Sequence, residues 1–369
     1  MSVPWRRTAV AAVVAAAVLA GCAAPGPEAP SSAPRPPAPA PSTPAGTPDL
    51  GAPEEIATNL AVPWGLAFLP GGDALVSERE TGRVLRLTPG RPPEPVREFP
   101  DAVVQTEGGL LGLAASPRIG QDDLVYAYYT TAVDARIVRF RARGTDPPEV
   151  VLGGIPRGPG HSGGRLAFGP DGMLYATVGD GTMSDRAQDP AGPNGKILRI
   201  TPEGDPAPGN PFPGSPVYSL GHRNPQGIAW DAAGRMWAAE FGQDEVDEIN
   251  IIEPGRNYGW PVVEGVGDTA SGRFTNPLRT WTVAEASPSG IAIAGGTLYM
   301  AALQGERLWT VPLDGDRAGE PASQLSGRYG RLRTAQVAPD GALWLTTSNT
   351  QRSGDARGGD DRVLRFPSR

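Results

Sequence analysis

From Pro63 onward the chain alternates apolar and polar positions in short stretches, each ended by a turn rich in Gly, Pro, Asp or Asn. LAFLPGGDALVSE, LAFGPDGMLYATVG, IAWDAAGRMWAAE and AQVAPDGALWLTT share one pattern: apolar strand, glycine-containing turn, second apolar strand. A period near two, with no sustained run at helical spacing, predicts β-strands. The turns supply the positive φ that Gly, Asn and Asp tolerate. Copies of the unit begin at Pro63, Gly108, Gly163, Pro225, Pro288 and Leu332, and third strands such as RVLRL, RIVRF, GKILRI and DRVLRF follow.

Six copies spaced by roughly 45 to 60 residues predict an all-β chain folded as a six-bladed β-propeller. One blade cannot bury both of its faces alone. Stacking each against two neighbours around an axis does so and leaves few open sheet edges. The segment near Glu55 to Leu60 is placed to close the ring with the last blade. A β-sandwich is the alternative, which the regular turn signal disfavours. Propellers usually bind ligands at one channel end, where loops from several blades converge.

The first residues follow another pattern. Arg6 and Arg7 precede an apolar, small-residue run from Thr8 to Ala20 that ends in Leu19-Ala20-Gly21-Cys22. This resembles a bacterial lipoprotein signal peptide over residues 1–21, with Cys22 as the lipidation site. Cys22 is the only cysteine, so a disulfide framework is impossible. Residues 22–51 are rich in Pro, Ala and Ser and predict a disordered tether. The propeller domain is expected over 52–369. The expected location is exported and lipid-anchored to the outer face of the cell membrane, the lipid being the only membrane contact. The net charge of −7 is not gathered into blocks, which argues against nucleic acid as a partner. Lys196 is the only lysine, so an anionic ligand is expected to be held by arginine.

Both histidines, His161 in PGHSGGRLAFGPDG and His222 in SLGHRNPQGIAW, sit in polar, glycine-bounded segments before the first strand of their blades. Their common register predicts that they meet at one end of the channel. A histidine there is a natural proton acceptor near neutral pH. Arg223 and Asn224 set a cation and an amide beside His222. Arg331 and Arg333 flank Leu332, so in an extended segment both point the same way, and a pair so placed suits carboxylates. GHSGG also fits a nucleophile elbow around Ser162. That motif needs a strand-to-helix turn, and here a β-hairpin follows.

EGGLLGLAASP, HSGGRLAFGPDG, GKILRI, LGHRNPQGIAW, DEINIIEPGRNYGWP and GRYGRLRTAQVAPDG together resemble the soluble quinoprotein glucose dehydrogenase and aldose sugar dehydrogenase family, from about Ile56 to Phe366. The resemblance implies a PQQ- and calcium-dependent oxidoreductase acting on aldose sugars at the anomeric carbon. His161 matches the general base, and Arg223 and Asn224 match the pair at the quinone carbonyls. Arg331 and Arg333 match a clamp for the PQQ carboxylates, and Trp281 matches an aromatic residue over the cofactor plane. The carbonyls of Gly242 and Gln243 would hold the calcium that bridges PQQ. Glu248 and Tyr258 would belong to a second, structural calcium. Calcium's preference for oxygen ligands suits the segment GQDEVDEIN.

Three positions depart from the family pattern. Gly160 stands where an acidic residue often precedes the base, so something else must orient His161. Gln304 stands where a lysine is common near the cofactor. Glu107 replaces a glutamine near the quinone, where a carboxylate can orient His161 or a sugar hydroxyl. Two other readings share the fold: a calcium-dependent lactonase and a non-catalytic, lipid-anchored binding module.

Overall fold

The computed structural model describes residues 46–351 and 354–369. The expected signal peptide with Cys22 and the expected tether up to residue 45 lie outside the described residues. No helix among the described residues is long and apolar enough to cross a membrane.

The described strands form six antiparallel sheets, and in five of them the strands follow one another outward in chain order, while the sixth takes its outermost strand from earlier in the chain. The innermost strands are Pro63–Phe68, Leu110–Ala115, Leu166–Phe168, Asn224–Trp230, Pro288–Ala294 and Leu332–Val337. Each packs against the next, and the last packs against the first, which closes a ring of six blades. We number the blades 1 to 6 from Pro63. Apolar residues of facing sheets form the core between blades, as where Trp64, Leu111, Tyr126 and Tyr128 pack with Leu174 and Leu198.

Glycine lets the innermost strands approach closely. A Cβ at Gly112 would lie 2.9 Å from the Leu166 nitrogen, and one at Gly290 would lie 2.7 Å from the Ala335 nitrogen. Contacts that short are closed to any other residue, so these glycines set the width of the channel. Arg165 fills its middle. Its guanidinium lies 4.1 Å from the Trp64 ring centre, and it donates to the Gln226 carbonyl at 2.8 Å and the Thr334 hydroxyl at 3.2 Å.

Blade 6 takes its outermost strand, Glu54–Ala57, from the other end of the chain; it pairs with Val363–Phe366. The packed region also begins before the expected boundary at residue 52. Pro48 bridges to Ser368, and the Asp49 nitrogen donates to the Pro367 carbonyl at 2.7 Å. The C-terminal segment offers backbone partners there, and composition alone does not reveal them.

Candidate active site

The innermost strands all start at one end of the channel, and the second strands end there. Loops at both points bring the candidate side chains together. The opposite end opens into a cavity of about 660 Å³ lined largely by apolar residues, including Ile228, Ile291 and Val337, and by none of the sequence-predicted site residues.

His161 sits in the loop before blade 3 with a φ of 51°. Its Nδ1 lies 2.7 Å from Oδ1 of Asp180, while Nε2 has no hydrogen-bond partner among the described residues. Asp180, in the Gly-Asp-Gly turn after the second strand of the same blade, is 1% exposed. Its Oδ1 also accepts from the Thr182 nitrogen at 2.7 Å, and its Oδ2 accepts from Trp260 Nε1 at 2.8 Å. A buried carboxylate on Nδ1 fixes that nitrogen as the protonated one and leaves Nε2 as the acceptor. Asp180 therefore does the orienting for which Gly160 is unsuited.

His222 is different, although its sequence setting is so similar. It is fully buried. Its Nδ1 meets Glu240 Oε2 at 2.7 Å, its Nε2 meets the Ser219 hydroxyl at 2.8 Å, and its ring stacks on Tyr258. Both nitrogens are taken, so the two histidines do not share a reaction site. The same Glu240 accepts from the Arg223 backbone nitrogen at 2.5 Å. His222 and Glu240 thus form the support on which Arg223 and Asn224 rest.

The Arg223 guanidinium lies 5.5 Å from the Trp260 ring centre, and its Nε has no partner among the described residues. Asn224 bridges two loops. Its Oδ1 accepts from the Gly163 nitrogen at 3.0 Å, and its Nδ2 donates to Glu107 Oε2 at 3.0 Å. Glu107 also accepts from the Ser162 nitrogen at 3.4 Å. The carboxylate therefore ties Asn224 to the backbone next to His161 rather than to the imidazole itself.

Arg331 and Arg333 are both buried. Arg333 is held by Ser348, Gln226 and Gln351. The Nε of Arg331 has no partner among the described residues. Burial pulls both guanidinium pKa values down, and the proximity of Arg79, Arg331 and Arg165 adds to the effect at Arg333. Gln304 is exposed in the turn after the second strand of blade 5, at the same channel end.

Trp281 is not part of this group. It lies on the outermost strand of blade 4, Arg279–Thr282, buried among Ile249, Ala286 and Trp309, and its ring centre is 5.9 Å from that of Trp309. Its environment is packing between blades 4 and 5. The aromatic residue that reaches the site is Trp260, which the sequence did not single out.

The loop after the second strand of blade 4 wraps a carboxylate. Oε1 of Glu264 accepts from the nitrogens of Gln243, Asp244, Glu245 and Val246 at 2.7 to 3.3 Å, and the Gly242 nitrogen donates to Asp247. With its N–H groups so occupied, the loop has carbonyl oxygens left to offer a cation. No cluster of three or more His, Cys, Asp or Glu side chains among the described residues is arranged to hold a metal. Glu248 is bonded to Asn250 and the Gly265 nitrogen, and burial, with Glu240 beside it, pushes its carboxyl up to about 7. Burial raises Asp247 to about 6. The Tyr258 hydroxyl is spent on the Ile251 carbonyl, so only its backbone is free to serve a metal.

Orphaned cationic donors beside a fixed proton acceptor suit a polycarboxylate cofactor. The comparisons agree. Residues 60–355 match the family model for glucose/sorbosone dehydrogenase. The chain belongs to this family. It is 50% identical to the aldose sugar dehydrogenase of Streptomyces coelicolor in its PQQ-bound form, with a TM-score of 0.83 over 89% of this chain and 100% of that one. A putative oxidoreductase (glucose dehydrogenase) from Thermus thermophilus is 47% identical, with a TM-score of 0.80 over 85% of this chain and 99% of that one. The aldose sugar dehydrogenase of Escherichia coli is 27% identical over 341 residues, covering 80% of this chain and 90% of that protein. As a glucose/sorbosone dehydrogenase family member, the chain carries its candidate site at the channel end where these loops meet.

Proposed function

We propose that this chain is a PQQ- and calcium-dependent dehydrogenase that oxidises aldoses at the anomeric carbon to lactones. The observation that carries the reading is the Asp180–His161 pair, with Nε2 free, set among arginines whose Nε atoms lack partners. A binding module has no need of an oriented proton acceptor, and a lactonase would be expected to offer metal-binding side chains instead.

In this reading His161 Nε2 takes the proton of the anomeric hydroxyl, and Asp180 stabilises the imidazolium that results. When bound, PQQ supplies the electrophilic quinone carbon that accepts the anomeric hydrogen as hydride. Arg223 and Asn224 would hold its quinone oxygens, where a cation and an amide suit negative charge. Arg331 and Arg333 would bind its carboxylates. Glu107 keeps the Asn224 amide aimed and the His161 loop closed against it. The carbonyls of Gly242 and Gln243 would hold the calcium beside the cofactor, and Glu248 with the Tyr258 carbonyl would hold a second. Export and lipid attachment at Cys22 complete the proposal.

The test is reconstitution of the purified protein with PQQ and calcium, following the cofactor's absorbance as glucose or another aldose is added. Reduction of the quinone and turnover with an artificial acceptor are expected. A protein that binds no PQQ would overturn the reading.

A further inference from the structure

Gln304 removes a cation from the expected carboxylate clamp, and the structure holds another at the same channel end. Arg79 follows directly after the second strand of blade 1, Ala74–Glu78, at the same channel end as His161. Its backbone is pinned on both sides: the nitrogen donates to the Val62 carbonyl at 3.1 Å, and the carbonyl accepts from the Leu110 nitrogen at 3.2 Å. Its side chain lies over Gly109, where a Cβ would stand 2.8 Å from Arg79 Cγ, two residues from Glu107. Only glycine leaves that path open.

The side chain is buried, with the residue 4% exposed. Yet among the described residues its one side-chain hydrogen-bond partner is Glu80, at 3.3 Å and itself 39% exposed, while Nε has none. The neighbouring Glu78 makes no claim on it, because that carboxylate is filled by Arg83, Thr81 and the Ala61 nitrogen. Burial lowers the pKa of Arg79, and the charges of Glu80 and Glu107 act against this. Arg79 in turn is felt by Arg333. It therefore lies at the same channel end as the clamp residues, which lie at the start of the innermost strand of blade 6, and has an unfilled donor. A buried guanidinium left in that state is paired by an incoming anion.

We propose that Arg79 is a third arginine of the cofactor clamp and supplies the positive charge that Gln304 does not. This rests on the PQQ reading above. Arg79, Arg331 and Arg333 then face the three carboxylates of PQQ, with the Nε of Arg79 and of Arg331 free for them. Arg333 is largely committed to protein partners.

The test is equilibrium titration of the full-length protein with PQQ in the presence of calcium, read by quenching of tryptophan fluorescence. Arg79→Gln is expected to raise the Kd by about 30-fold or more and to flatten its salt dependence. Arg79→Lys keeps the charge but loses the fork, and is expected to fall between the two. Adding Gln304→Lys to Arg79→Gln is expected to restore at least about tenfold of the lost affinity. Thermal unfolding without PQQ monitors the fold, and if Arg79→Gln does not fold, Arg79→Lys carries the test. Wild-type affinity in a folded Arg79→Gln or Arg79→Lys protein would overturn the proposal, and absence of rescue would overturn the compensation by Gln304. If the wild-type protein binds no PQQ, both this inference and the proposed function fall. If it binds normally and only the variants behave as wild type, this inference alone fails.

Discussion

Replacing Asp180 by Asn changes almost no volume and should remove most of the activity. The carboxylate accepts three hydrogen bonds: from His161 Nδ1 at 2.7 Å, from the Thr182 nitrogen at 2.7 Å and from Trp260 Nε1 at 2.8 Å. An amide has one acceptor oxygen. If its oxygen faces His161 and Thr182, its NH2 opposes the Trp260 N–H. If it turns round, its NH2 faces Nδ1, which must then accept, and the ring proton moves to Nε2, where no base remains. The charge matters as well. A unit negative charge 2.7 Å from an imidazolium is worth about 6 kcal/mol at an effective dielectric constant of 20, before desolvation is subtracted. Losing about half of that, together with the tautomer, predicts a fall in kcat of roughly 10²- to 10⁴-fold. PQQ affinity should change by less than about threefold, because Asp180 touches no arginine of the clamp. The assay is steady-state turnover of the PQQ-loaded variant with an artificial acceptor, beside a PQQ titration of the same preparation. A kcat within threefold of wild type would refute the orienting role. Lost activity that merely tracked lost PQQ would refute it equally.

Three further outcomes are expected. His222→Gln should lower stability by about 2 to 4 kcal/mol in denaturant titrations, because Glu240 and Ser219 lose a buried partner, while turnover per folded, PQQ-loaded molecule falls by less than about tenfold. Lys196 donates to the carbonyls of Arg186, Ala187 and Asn194, and burial lowers its pKa to about 8 from 10.5. Between these values the unfolded chain binds more protons, so wild-type stability should rise with pH from about 8 to 10.5. Lys196→Met should flatten that rise and cost about 2 to 4 kcal/mol at pH 7, both read from denaturation across pH. Trp281→Ala should cost about 3 to 5 kcal/mol through a cavity between blades 4 and 5, with PQQ affinity of the folded protein unchanged within about threefold. A selective loss of PQQ affinity would return Trp281 to the cofactor site.

The propeller was legible because each blade repeats strand, turn and strand in nearly the same apolar pattern, and a ring of such units has few alternatives. The glycines of GLLGLA and PSGIAI mark where innermost strands nearly touch, which is a backbone requirement and so shows in residue type. Register placed the histidines at one channel end, whereas Arg223, Asn224, Glu107, Arg331 and Arg333 were assigned through the family resemblance; all of these lie at or just before the start of an innermost strand. Asp180 was missed because it is 19 positions from its histidine and lies two residues past the second strand of blade 3, whereas Glu240 lies within the second strand of blade 4, so aligning the blades pairs Asp180 with Gly242. Each acid nevertheless meets the histidine before its own blade. The difference between the histidines was not legible, because it depends on Ser219 and Tyr258 meeting one ring, while among the described residues Nε2 of the other has no hydrogen-bond partner. Trp281 was assigned by residue type, which does not report whether a strand lies at the axis or at the rim.

The pairing of Glu54–Ala57 with Val363–Phe366 governs the order of assembly. Glu54 and Arg365 are 311 positions apart, yet their side chains form an ion pair across adjacent strands. The first described strand finds its partner only when the last has been made, and closing so long a loop is entropically costly before its contacts repay it. Sealing the circle should be the final event of folding, with the facing sides of blades 1 and 6 open until then. The same adjacency makes the starting point of the polypeptide arbitrary. A permuted chain that begins in a rim turn between two other blades, with the present ends spliced near Pro48 and Ser368, would retain every strand neighbour.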